Sequence, residues 1–185
     1  VGCMNQKRIL MIIGSLRKES FQRQLAQLAQ EMLGERAEVA FLDYTQVPFF
    51  NQDMEFPVPL PVAQVREAVS RADGVWLFVP EYNHSLPGVL KNLLDWLSRP
   101  NQPGEATCLF GKPVTFSGAG GAAGTACVQD HLMMLLSVLG MKMMAVPRTG
   151  IPLSPEAFKS NCLSLTESQE GRLRKQAEAF LTFLD

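Results

Sequence analysis

Ligands for a metal and partners for a disulfide are what this sequence has least of. Its four cysteines, Cys3, Cys108, Cys127 and Cys162, stand far apart with no CxxC spacing, and His84 and His131 are the only imidazoles. Neither a zinc site nor a disulfide framework is expected, and no metal is assigned. An excess of one charge is missing as well: 17 basic and 18 acidic side chains give a formal net charge of −1. That balance offers no electrostatic footprint for nucleic acid or for an anionic membrane surface. Long apolar runs are also lacking. Ile9 to Ile13 gives way at once to Gly-Ser-Leu-Arg-Lys, and the stretch HLMMLLSVLGMKMMAVP is broken by Gly140 and Lys142. These read as a buried strand and as a buried helix running into a strand, not as a signal-peptide core or a membrane span. A soluble, reducing, cytoplasmic setting is the expectation. Neither GxGxxG nor GK[ST] occurs, which counts against a dinucleotide or nucleoside triphosphate site. No GxSxG elbow marks a hydrolase.

What is present is a regular alternation. With 185 residues, of which 46% are apolar, the chain has material for one sizeable core, so a single domain over residues 4–185 is expected. Val1-Gly-Cys3 precedes a methionine and is set aside from the fold argument. Continuous apolar runs at Ile9–Ile13, Val39–Leu42, Val75–Val79, Val114–Phe116 and Met143–Val146 suit strands covered on both faces. Between them the spacing of Leu25, Leu28, Ala29 and Met32, then of Val62, Val65 and Val69, then of Leu90, Leu93, Leu94 and Leu97, is helical. Further helices are predicted from about Ala122 to Leu139 and from Thr166 onward, where Gln169 stands in capping-box position. The pattern predicts an α/β fold: a doubly wound, five-stranded parallel sheet with helices on both faces and a site at the carboxyl ends of its strands. Residues 43–61 form a long connection that either borders this site, with Phe49, Phe50 and Phe56 as a wall, or is a rigid surface loop.

Three loops carry the chemistry. GSLRKES follows the first strand. Gly14 permits a tight turn, Ser15 and Ser20 bring hydroxyls, Arg17 brings an ionic fork, and the next helix brings free N–H groups; together these suit a phosphate. The bland reading is a solvated turn with Ser20 as an ordinary helix cap. PEYNHSLPG, after the third strand, is stiffened by two prolines and offers Tyr82 to a flat ligand. Here His84 reads as a solvent-facing loop residue, because no partner is placed to make it a base. SGAGGAAGTA, after the fourth strand, has so little side chain that its amides can approach a bulky group. A phosphate joined to a flat heterocycle fits all three, and flavin mononucleotide (FMN) is the economical choice.

GSLRKES with Gln22, then PEYNHSLPGVLKNLLDWLSRP, then GKPVTFSGAGG resemble the NADPH-dependent FMN reductase family over roughly residues 8–146. The resemblance implies a flavodoxin-like fold and an FMN-dependent oxidoreductase. In its two-step cycle NADPH or NADH reduces bound FMN and leaves before a small acceptor is reduced in the same place. Quinones, free flavins, azo dyes and chromate are the acceptors implied. Ser15, Arg17, Ser20 and Gln22 would hold the FMN phosphate with Phe21 beside them; Pro80, Glu81, Tyr82 and Asn83 would line the ring and ribityl chain; Ser117 and Gly118 would touch the flavin from the third loop. Gln22 stands where the family commonly has asparagine. No side chain is expected to act as acid or base, Tyr82 and Asn83 being ring environment only. A homodimer or homotetramer is implied, with Asp95, Trp96 and Arg99 as interface candidates. A flavodoxin-type electron carrier and a non-catalytic FMN-binding protein are the alternatives. Residues 147–164 either cover the cleft or reach a neighbouring subunit.

Overall fold

Strands and helices alternate along the described residues, 6–185 of the computed structural model; Val1-Gly-Cys3 lies outside them. The order is β1 (Lys7–Ile13), α1 (Phe21–Leu33), β2 (Ala37–Phe41), α2 (Leu60–Arg71), β3 (Gly74–Phe78), α3 (Gly88–Leu97), β4 (Pro113–Gly120), α4 (Ala126–Val138), β5 (Lys142–Met143), β6 (Thr149–Pro152), α5 (Pro155–Ser160) and α6 (Glu167–Phe183). All pairings are parallel, in the order β2-β1-β3-β4-β5, and β6 also pairs with β4. This is the flavodoxin-like order, whose switch point falls between β1 and β3.

The strands are apolar on both sides because each side meets a helix layer. From β1, Leu10 and Ile12 join Val65 and Val69 of α2, Leu90 and Leu94 of α3 and Leu132 of α4 in one cluster. Ile9, Met11 and Ile13 point the other way, to Leu25 and Ala29 of α1 and Leu173, Ala177 and Phe180 of α6. Period-two alternation in the strand thus serves two cores. The predicted capping box is present: Thr166 accepts from the Gln169 N–H, and the Gln169 side chain accepts from the Thr166 N–H.

Four features depart from the sequence reading. The fourth strand runs on to Gly120, so Ser117 and Gly118 belong to it and not to a loop. Helix α4 starts at Ala126, because Gly124 and Thr125 turn the chain with φ of 57° and 66°. The last edge position is split: the ladder stops at Met144 N–H to Val114 O (2.8 Å) and resumes at Thr149 as β6, since Pro147 in between has no donor. Residues 155–160 form the short extra helix α5. The long 43–61 connection is a fastened surface loop. Asn92 and Trp96 of α3 both donate to Pro48 O, at 2.9 and 2.8 Å, and Phe50 packs edge-on against Trp96.

Candidate functional site

Gly14 ends β1 by donating its N–H to Phe78 O of β3 at 2.7 Å. A Cβ there would stand 3.1 Å from Pro80 Cδ, so glycine lets the first loop pass under the second. Tyr44 holds the same strand end by donating to Ile13 O at 2.6 Å; burial, first of all, pushes its phenol well above the ordinary range and keeps it a donor. The chain then presents Ser15, Arg17 and Ser20 to one cleft. Ser20 caps α1, its Oγ accepting from Arg23 N–H at 3.2 Å and its carbonyl from Gln24 N–H at 3.1 Å. The first-turn N–H groups of Phe21 and Gln22 are left without an acceptor among the described residues, at the positive end of the helix dipole. Arg17 reaches across and donates from Nη1 to Asn161 Oδ1 at 2.7 Å, its guanidinium lying 5.5 Å from the Phe21 ring centroid.

The second loop closes on itself. Tyr82 and Ser85 exchange backbone hydrogen bonds at 3.1 and 3.0 Å around Asn83 and His84, which both have positive φ, 53° and 59°. A two-residue turn with both centres left-handed is the tight hairpin type, and it fixes where Tyr82 stands. Tyr82 is 50% exposed on the cleft wall, with its hydroxyl 3.5 Å from Ser15 Oγ. Glu81 turns inward and accepts from Val128 N–H at 3.1 Å. It thereby caps α4, whose own cap residue, Thr125, makes no side-chain cap bond. Pro80, Glu81 and Tyr82 line the cleft; Asn83 sits at the exposed tip of the turn, outside that lining.

The third wall differs from the one expected. Ser117 is fully buried between the sheet and α6, short of the cleft, where its Oγ accepts from Trp76 Nε1 at 3.0 Å and donates to Gln176 Oε1 at 2.9 Å. At Gly118 a Cβ would collide with the Val79 carbonyl and the Thr125 hydroxyl, so this glycine serves close packing of β4. The strand delivers Ala119, Gly120 and Gly121 to the cleft in their place. Gln22 is corrected too. Its amide lies against the cleft but is spent on Ala119, donating to the carbonyl at 2.5 Å and accepting from the N–H at 3.0 Å. No sequence signal marked Leu153, Phe158 and Asn161 as lining, yet they bring residues 147–164 over the cleft, Phe158 meeting Phe21 edge-on at 5.7 Å. Phe49, Phe50 and Phe56 do not line it. On α3, Trp96 is fully buried, which removes it from any subunit contact. Arg99 pairs with Glu55 through two hydrogen bonds (2.9 and 3.0 Å), and Asp95 pairs with Lys91 at 2.8 Å.

The result is an open cleft of about 450 Å³ at the switch point of the sheet. One end gathers a guanidinium, two serines and two unpaired N–H groups; the other presents a tyrosine, a proline and a glycine edge with no side chain. Those donors suit a phosphate dianion, and the glycine edge leaves room for a flat ring, so the residues fit FMN. Comparisons with known proteins agree. Residues 7–154 match the family described as NADPH-dependent FMN reductase. A 2-hydroxy-1,4-benzoquinone reductase from a Burkholderia species is 33% identical over 94% of this chain and 92% of its own length. The quinone reductase of Escherichia coli K12 is 37% identical over 78% of this chain and 77% of its own. Among solved structures, the flavoenzyme NAD(P)H:(acceptor) oxidoreductase FerB of Paracoccus denitrificans superposes with a TM-score of 0.85 at 30% identity, covering 96% of this chain and 97% of that one.

Proposed function

We propose, from the premise that this chain belongs to the NADPH-dependent FMN reductase family, that its cleft holds FMN by Ser15, Arg17, Ser20 and the N–H groups of Phe21 and Gln22 at the phosphate. Pro80, Glu81, Tyr82 and the Gly120–Gly121 edge then flank the ring. The chain is an FMN-dependent NAD(P)H oxidoreductase. FMN, when bound, supplies the redox chemistry, accepting a hydride equivalent from the nicotinamide and releasing electrons to the acceptor. The protein's part is to bind, orient and partly desolvate. Arg17 and the α1 terminus anchor the anion, and the stiff Tyr82–Ser85 turn fixes one wall. The Gly120–Gly121 edge, having no side chain, would leave room for the flat ring to lie against the strand end.

The observation that carries this reading is the pairing, in one open cleft, of an anion-binding helix terminus with a side-chain-free strand edge. One open cleft serves donor and acceptor in turn, which makes the kinetics ping-pong. For the acceptor we favour a quinone, the substrate class named for the Burkholderia and Escherichia coli enzymes. No helix of the described residues is long and apolar enough to cross a membrane. The free thiols Cys108, Cys127 and Cys162 fit a reducing, cytoplasmic setting. A homodimer or homotetramer is the assembly we favour, with the partly exposed Asp95 and Arg99 open to a partner. The test is an anaerobic absorption experiment on the purified protein. Flavin bands that bleach with NADPH or NADH and recover with a quinone are the expected result. Bands that persist through both nicotinamides mark a carrier or a binding protein, and a colourless chain that takes up no FMN overturns the site.

A further inference from the structure

Behind the cleft wall, three side chains from two elements converge. Glu81 and His84 come from the turn after β3, and Cys127 is the second residue of α4. One ligating atom of each lies within 4.8 Å of the other two, and His84 Nδ1 is 3.2 Å from Glu81 Oε1. We propose that Glu81, His84 and Cys127 form a site for a divalent, borderline-soft metal ion of the zinc type, with the remaining coordination position open to water.

Donor chemistry comes first. Thiolate, imidazole and carboxylate are the three groups that zinc takes, whereas an all-oxygen set would suit magnesium or calcium. Metal–ligand bonds of about 2.0 to 2.3 Å set tetrahedrally place ligand atoms about 3.3 to 3.6 Å apart, close to the His84–Glu81 separation already present. Cys127 and His84 are exposed, so the sulfur and the ring need only rotate about their own side-chain bonds to complete the set.

Support behind the ligands comes second. Glu81 is held by Val128 N–H through Oε2, which leaves Oε1 directed at His84. A carboxylate oriented by one backbone donor is the usual support behind a metal ligand. Cys127 stands in the first turn of α4, next to the Val128 whose N–H holds Glu81, so the backbone bond that orients the carboxylate also fixes where the thiol emerges. His84 itself occupies a left-handed backbone position (φ 59°) that glycine or asparagine would fill at less cost. An ion bound there would tie the Tyr82–Ser85 turn to α4.

The test is calorimetric titration of Zn²⁺ into the FMN-loaded chain carrying Cys162→Ser, which removes the other exposed thiol among the described residues. One ion per chain is expected, and adding Cys127→Ser or His84→Ala weakens binding by about tenfold or more. Co²⁺ in place of Zn²⁺ gives a thiolate charge-transfer absorption in the parent and none in Cys127→Ser. Retained flavin shows that each variant is folded, and metal binding is scored without turnover, so the result does not depend on the redox reading. Absence of binding, unchanged affinity in either variant, or a cobalt spectrum without the thiolate band overturns the site.

Discussion

Arg17 and Gln22 stand a few residues apart against one cleft, yet the structure gives them opposite duties. Arg17 is held by a single bond to Asn161, and its charge faces the anion end. Removing it takes away charge-assisted contacts worth roughly 1.5 to 3 kcal/mol with a phosphate but little that the empty protein uses. Gln22 is 3% exposed and spends both ends of its amide on Ala119. Strand β3 last pairs with β4 at Phe78–Ser117, so the Gln22 amide serves the strand edge that β3 no longer covers. Gln22→Leu strands the Ala119 N–H and carbonyl and costs the apo chain on the order of 2 to 4 kcal/mol in urea unfolding. Arg17→Ala leaves apo stability within about 0.5 kcal/mol and raises the FMN dissociation constant by about tenfold or more, the spectrum of the flavin that does bind being unaltered. An apo Gln22→Leu chain of normal stability that had lost FMN would return Gln22 to the phosphate, where the family resemblance placed it.

Helix α6 is held to the sheet by more than its apolar face. Gln176 donates to Thr115 Oγ1 and Phe116 O, both at 2.9 Å, and accepts from Ser117, which in turn accepts from Trp76; all these groups are buried. Ser117→Ala breaks the centre of that chain and leaves Trp76 Nε1 without its acceptor. The expected loss is about 1 to 3 kcal/mol of stability with FMN affinity unchanged, measured by urea unfolding beside flavin titration. The reverse pattern would make Ser117 a flavin ligand after all. Long elements are legible in the sequence because their periods are strong: the apolar rows of α1, α2 and α3 and the Thr166–Gln169 cap all stand where the pattern puts them. The short ones are not. Thr149–Pro152 is a four-residue edge strand with glycine and proline in it, and Pro155–Ser160 is too brief for a period to register. Ser117 was misplaced for a related reason, since glycines that let β4 pack closely look in sequence like glycines that open a loop. The Glu81–His84–Cys127 cluster was invisible because a spacing of three and then forty-three residues matches no ligand motif, and only the α4 terminus brings the thiol back to the turn.

At the scale of the molecule, the two helix layers make the sheet's flanks sensitive to charge that the near-neutral surface would tolerate. Cys108 lies beside the core shared by α2, α3 and α4, its Sγ 3.7 Å from Leu97 O, and burial pushes its thiol from 9.0 up to about 11. The folded state therefore holds a proton that the unfolded chain releases earlier. The stability this contributes is fully present below about pH 9 and is lost as pH rises through about 11. Lys112 works against it: burial pushes its ammonium down, so its charged form disfavours folding, and rising pH relieves that penalty. A Cys108→Ser variant keeps Lys112 and removes the thiol, so the difference between the two proteins reports Cys108 together with its charge coupling to Lys112. Urea unfolding at about pH 8 and about pH 11 should show the parent losing on the order of 1 to 2 kcal/mol more than the variant over that interval. Equal losses would mean that water reaches the thiol and that the edge between α3 and β4 is more open than its packing indicates.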